Sequence, residues 1–180
     1  MGKKFLRLFI VATLVLLVGC GGGPKSDVSV FMMPPNGIPQ EITEKIEESL
    51  IAQLGESPTV QVGGSPIFDL NKEMVEVAAG GHLIYVFGEE RFKTWALQGS
   101  LSNLDEIFDP ADYPSGVVEA DVSEDSDNPI IEKHLYGIPM SESKLMKAAG
   151  YQGEEIYAFM LPRVDDMGQA TQVLKALVER

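Results

Sequence analysis

Leu83-Ile84-Tyr85-Val86-Phe87 is a continuous apolar run between two stretches with helical periodicity. A strand that is apolar on both sides needs cover on both faces, as in the centre of a layered sheet. The run therefore constrains this chain more than any other feature, because the segments around it must supply that cover. Residues 40–54 place Ile42, Ile46, Leu50, Ile51 and Leu54 at helical spacing, with acids in the first turn and Gly55 at the end. Asp69 to Ala79 predicts a second helix with Leu70, Met74, Val77 and Ala78 on its packing side. Residues 89–98 predict a third that carries Phe92, Trp95 and Ala96.

The remaining segments follow the same alternation. Residues 27–32 and 59–62 read as short strands, the first broken by Pro34 and Pro35 and the second by Gly63-Gly64. Leu101 to Asp105 reads as a short helix, and 109–129, poor in apolar residues, as a loop. His134 to Ile138 reads as an edge strand. Ser141 to Ala149 reads as a helix capped by Ser141 and stopped by Gly150. Ile156 to Leu161 is a further strand, and 165–179 a last helix. Strands alternating with helices predict an α/β fold: a largely parallel sheet with helices on both faces, in one domain over 27–180.

Charge narrows the function. Against 27 Asp and Glu stand 14 Lys and Arg, a net charge of −13. A nucleic-acid binder needs a basic surface to displace counterions, so nucleic acid is excluded as a partner. One cysteine excludes both a disulfide framework and a multi-cysteine metal site.

The N-terminus carries an address. Lys3, Lys4 and Arg7 precede an apolar stretch, Leu8 to Val18, that is too short to span a bilayer and ends Leu17-Val18-Gly19-Cys20. This resembles the bacterial lipobox, in which the peptide is cut before the cysteine and the thiol receives a diacylglycerol. The resemblance implies a signal peptide over 1–19, lipidation of Cys20, a tether over 20–26, and a place on the extracytoplasmic face of the cell membrane. A plain signal peptide or an uncleaved anchor is the alternative. Removing residues 1–19 takes away three basic and no acidic residues, so the net charge moves from −13 to −16. Anionic headgroups repel such a body, so the acyl chains must hold it, at about 0.8 kcal/mol per buried CH₂.

The body has a resemblance of its own. Val77-Ala78-Ala79-Gly80-Gly81-His82-Leu83-Ile84-Tyr85-Val86, followed by a helix and Gly99-Ser100-Leu101-Ser102-Asn103-Leu104, resembles the first lobe of extracellular solute-binding proteins of ABC importers. His134-Leu135-Tyr136-Gly137-Ile138-Pro139 is similar to that family's Leu-Tyr-Gly-x-Pro segment, and Ser143 to Gly150 to the helix after it. The resemblance implies one lobe of a periplasmic-binding-protein-like (type II) fold. It departs from the family at His82-Leu83, where Pro-Asp is usual, and in length, because the family encloses its ligand between two lobes. A retained ligand contact is expected at strand C-terminal ends. Gly64, Ser65, Glu89 and Arg91 lie there, and Trp95 and Phe92 are aromatics able to stack on a sugar. The other reading is that these residues form turns, a helix start and core packing.

Catalytic motifs are absent from the sequence: it has no Gly-x-Ser-x-Gly elbow, phosphate loop or Gly-x-Gly-x-x-Gly, and no cofactor is implied. His82 and His134 stand apart from metal-ligand spacings. Asp121, Ser123, Asp125, Asp127 and Glu132 fall at positions 1, 3, 5, 7 and 12 of a calcium-loop pattern. That pattern has Ser126 where glycine makes the sharp turn, and the alternative is a solvated acidic loop. These readings point to a membrane-anchored, non-catalytic protein that binds a small solute or an envelope protein. The alternatives are an envelope scaffold with no small ligand, and a hydrolase that would need a catalytic cluster assembled from distant residues.

Overall fold

The computed structural model describes residues 26–123, 127–162 and 167–180. Among these residues, seven strands and five α-helices run in the order β1 (Val28–Met33), α1 (Gln40–Leu54), β2 (Val60–Gly64), α2 (Leu70–Ala79), β3 (Ile84–Gly88), α3 (Glu89–Leu97), β4 (Val117–Asp121), β5 (Ile131–Leu135), β6 (Ile138–Pro139), α4 (Lys144–Ala149), β7 (Ile156–Met160) and α5 (Met167–Val178). Five strands form one sheet in the order β2-β1-β3-β7-β6. β2, β1 and β3 are parallel neighbours, whereas β7 is antiparallel to both β3 and β6. Four strands therefore run one way and β7 the other, giving a mixed, mostly parallel sheet. β4 and β5 form a separate antiparallel hairpin.

Period-two alternation sorts the core by chemistry. Val28, Val30, Met32, Ile84, Val86, Ile156, Ala158 and Met160 face one side, under α1, α4 and α5. Phe31, Met33, Tyr85, Phe87, Tyr157 and Phe159 face the other, under α2, α3 and the hairpin. The first side of the sheet is aliphatic and the second mainly aromatic. Leu50 of α1 and Phe92 of α3 have no solvent exposure, and burial of such side chains contributes about 1.5–3 kcal/mol each. Phe92 stacks on Tyr157 with centroids 4.6 Å apart and planes 7° from parallel. Helices thus cover both faces, as the apolar run at β3 requires.

Several boundaries differ from the sequence expectation, each because a tertiary partner claims the backbone. Leu101 to Asp105 is not helical: the Ser102 amide donates to Met160 O and the Leu104 amide to Leu135 O, which leaves them unavailable to a helix. The expected loop at 109–129 contains two short 3₁₀ turns and then β4, whose residues pair with β5. The expected edge strand at 134–138 is divided. β5 ends at Leu135, the Tyr136 amide donates to Gly116 O, and β6 joins the main sheet. Helix α4 starts at Lys144, with Ser143 rather than Ser141 as its cap; Ser143 Oγ accepts from the Met146 amide. The Ser141 amide instead donates to Glu155 Oε1 at 2.9 Å. Gly150 closes α4 at φ 84°, as a left-handed cap.

Candidate ligand crevice at the strand ends

The order β2-β1-β3 sends the chain from β1 to one side and then back to the other. The carboxyl ends of β1 and β3 therefore flank a topological switch point, where open α/β sheets bind ligands. Met33 and Gly88 end those strands, and a crevice of about 250 Å³ opens between them, lined also by Pro35, Phe68, Leu70, Glu90 and Arg91. That volume lies just below the range of small-molecule sites, so the crevice suits a small ligand or one side chain of a partner.

Arg91 leans on this crevice but spends its guanidinium elsewhere. Its Nε donates to Glu73 Oε1 at 2.9 Å and Oε2 at 3.1 Å, and its Nη2 donates to Oε1 at 2.7 Å. Trp95 Nε1 donates to the same Oε1 at 2.8 Å. Glu73, from the first turn of α2, is fully buried. Two expected site residues thus meet on a carboxylate that the sequence reading missed. Its one sequence signal is position: Glu73 stands four residues after the cap Asp69, and Arg91 and Trp95 are four apart on α3.

The other expected residues do not join them. Glu89 pairs with Lys93 one turn on, in solvent. Ser65 is buried; its amide donates to Met32 O and its carbonyl accepts from Ile38, tying β2 to the loop after β1. Gly64 borders a separate cavity of about 470 Å³ beside Gln40, Glu44 and Glu47. The proline loop after β1 divides the two sites: an added Cβ at Gly88 would stand 2.5 Å from Pro35 Cγ, and one at Gly64 2.6 Å from Ile38 Cγ2. Phe92, being fully buried, offers no face to a sugar.

Helix α2 also corrects an expectation. Val77 is buried, but Leu70 is 49% and Met74 48% exposed, although both share its apolar side. With Ile67 and Phe68 they make an exposed apolar stripe from the crevice along α2. At the other end of the α2–α3 groove, Met74, Val77, Ala78, Trp95, Ser100, Leu161 and Pro162 line a cavity of about 450 Å³.

Both histidines are fastened. His82 Nδ1 lies 2.7 Å from Ser29 Oγ and its Nε2 3.1 Å from Glu76 Oε2, with its ring stacked on Phe31. The chain Ser29–His82–Glu76 is placed for proton exchange, but none of the cavities described here opens on Ser29. His134 bridges two carboxylates at 2.7 Å each, Asp105 through Nδ1 and Glu132 through Nε2. Hydrogen bonds to Glu132 and then Asp105 raise its pKa above the usual 6.5.

Of the calcium-loop residues, Asp125 lies outside the described residues. Asp121 Oδ1 accepts from the Ser123 hydroxyl and amide and from the Ile130 amide, which closes the β4–β5 hairpin and holds its carboxyl below the usual range. Glu132 is committed to His134. Among the described residues, no three His, Cys, Asp or Glu side chains are grouped to hold a metal ion, and no helix is long and apolar enough to cross a membrane. Cys20 and the rest of 1–25 lie outside the described residues. Comparison with protein-family models, curated proteins and solved structures finds no match to this chain.

Proposed function

We propose that this chain is a lipid-anchored protein of the extracytoplasmic membrane face that works by binding, without catalysis. Acylated Cys20 is its link to the bilayer, and the body is a single lobe of the solute-binding-protein type. The observation that carries the binding role is the crevice between Met33 and Gly88 at the β1/β3 switch point, continuous with exposed apolar side chains on α2. A crevice of that size, apolar at Met33, Pro35, Phe68 and Leu70 and charged at Glu90 and Arg91, favours a small solute. The exposed stripe of Ile67, Phe68, Leu70 and Met74 favours a second reading, an envelope protein docked along α2 with no small ligand.

A thermal-shift screen of residues 26–180 against sugars, amino acids, peptides and other small metabolites tests the first reading. A ligand at 100 times its Kd stabilises by about 2.7 kcal/mol. A shift that Phe68→Asp abolishes supports the crevice. A well-folded sample that no compound shifts removes the small-ligand reading and leaves the docking one.

A further inference from the structure

The cavity between α2 and α3 lies at the opposite end of the sheet from the crevice. The Leu83 amide donates to Ser29 O, Ile84 pairs with Met160, and the Ser102 amide donates to Met160 O. The end of α2, the turn after α3 and the end of β7 therefore gather at the edge where β1 begins. That is the edge at which the tether reaches the body. From Cys20 to Ser26 an extended chain spans only about 20 Å.

The cavity's chemistry is one-sided. Val77 and Leu161 are buried beneath it, and Met74 is half exposed at its side. Trp95 presents only its apolar rings, because its N–H is already bonded to Glu73. Ser100 is the one hydroxyl-bearing residue among the described lining residues, and its Oγ donates to Gln98 O. Among the described residues, no charged side chain lines the space. At about 450 Å³ it is within the range of small-molecule sites. Such a wall recognises apolar length and rejects charge.

We propose that this cavity takes the acyl chain of a bilayer lipid. The proposal rests on the anchored reading for the source of the chain. Trp95 is the sole tryptophan of the sequence, so its emission reports on the cavity directly. The mature acylated protein is floated with phosphatidylcholine vesicles whose acyl chains carry bromine, a contact quencher. Because a bound chain lies against the indole, Trp95 emission is expected to fall by about half relative to unbrominated vesicles. Ala78→Phe, at an exposed position on the cavity wall, should restore it with the far-ultraviolet circular dichroism unchanged. Unquenched Trp95 in wild-type protein that floats with the vesicles overturns the proposal. Protein that does not float shows that the anchored reading has failed instead. Dibromostearate in buffer then decides the site: saturable quenching removed by Ala78→Phe retains an acyl site fed from solution, and no quenching overturns it.

Discussion

Arg91 meets Glu73 across two helices, 18 residues apart in sequence, through three contacts of 2.7–3.1 Å, and the carboxylate they surround has no solvent exposure. A buried carboxylate is tolerated only when its partners are complete, and Trp95 completes them here. The trio fixes α2 to α3 and stands between the strand-end crevice, which Arg91 lines, and the cavity that Trp95 lines. Arg91→Ala leaves Glu73 buried without its counter-charge and is expected to cost about 3–5 kcal/mol in urea unfolding. Arg91→Met with Glu73→Leu removes both charges and should recover much of that loss. A double variant as unstable as the single one would show that packing, not charge, is at stake.

His134 gives the fold a pH dependence of definite sign. Its pKa is raised by Glu132 and Asp105, so its contribution is complete below the unfolded value near 6.5 and is lost as pH rises through the folded value. The melting temperature is therefore expected to fall as pH rises from about 6.5 through the raised folded value, and His134→Gln should flatten that slope. Asp121 acts in the opposite sense. Its lowered pKa adds stability above the unfolded 3.8 that is lost as pH falls through the folded value. An unchanged slope in His134→Gln would remove His134 from this role.

Two glycines allow the crossing where the β5–β6 connection passes the 3₁₀ turn before β4. A Cβ on Gly116 would overlap Gly137 O, and one on Gly137 would overlap the Phe92 ring. The carbonyl is backbone and the ring is a side chain, so Gly116→Ala should cost more than Gly137→Ala, each about 1–3 kcal/mol. Equal midpoints in urea would mean that the backbone yields as readily as the ring.

The exposed stripe on α2 should be replaceable without harm to the fold. Leu70→Asp is expected to stay within about 0.5 kcal/mol of wild type in thermal unfolding. A loss of several times that would show Leu70 to be packed rather than displayed.

The layered sheet was legible because it follows from local pattern. Alternation placed the strands, and Gly55, Asp69 and Gly150 marked helix ends correctly. The reversal of β7 was not legible, because an apolar strand buried on both faces carries no direction in its side chains. β4 was missed because Val117 to Asp121 owes its strand to a partner ten residues away or more. The site was legible only in part. Arg91 and Trp95 were identified as residues, but the carboxylate joining them lies on a different helix and looks from sequence like an ordinary first-turn acid. Apolar spacing also counted Leu70 and Met74 as core, since period alone does not tell a covered helix face from a displayed one.

The proposed function depends on Cys20, and the mass of the N-terminal peptide from membrane-purified protein tests it most directly. The expected result is a chain that begins at Cys20 and carries a diacylglycerol thioether, with Cys20→Ser releasing the body from the membrane fraction. An N-terminal segment retained through Met1, or a Cys20 with a free thiol in protein that still sediments with membranes, would contradict it.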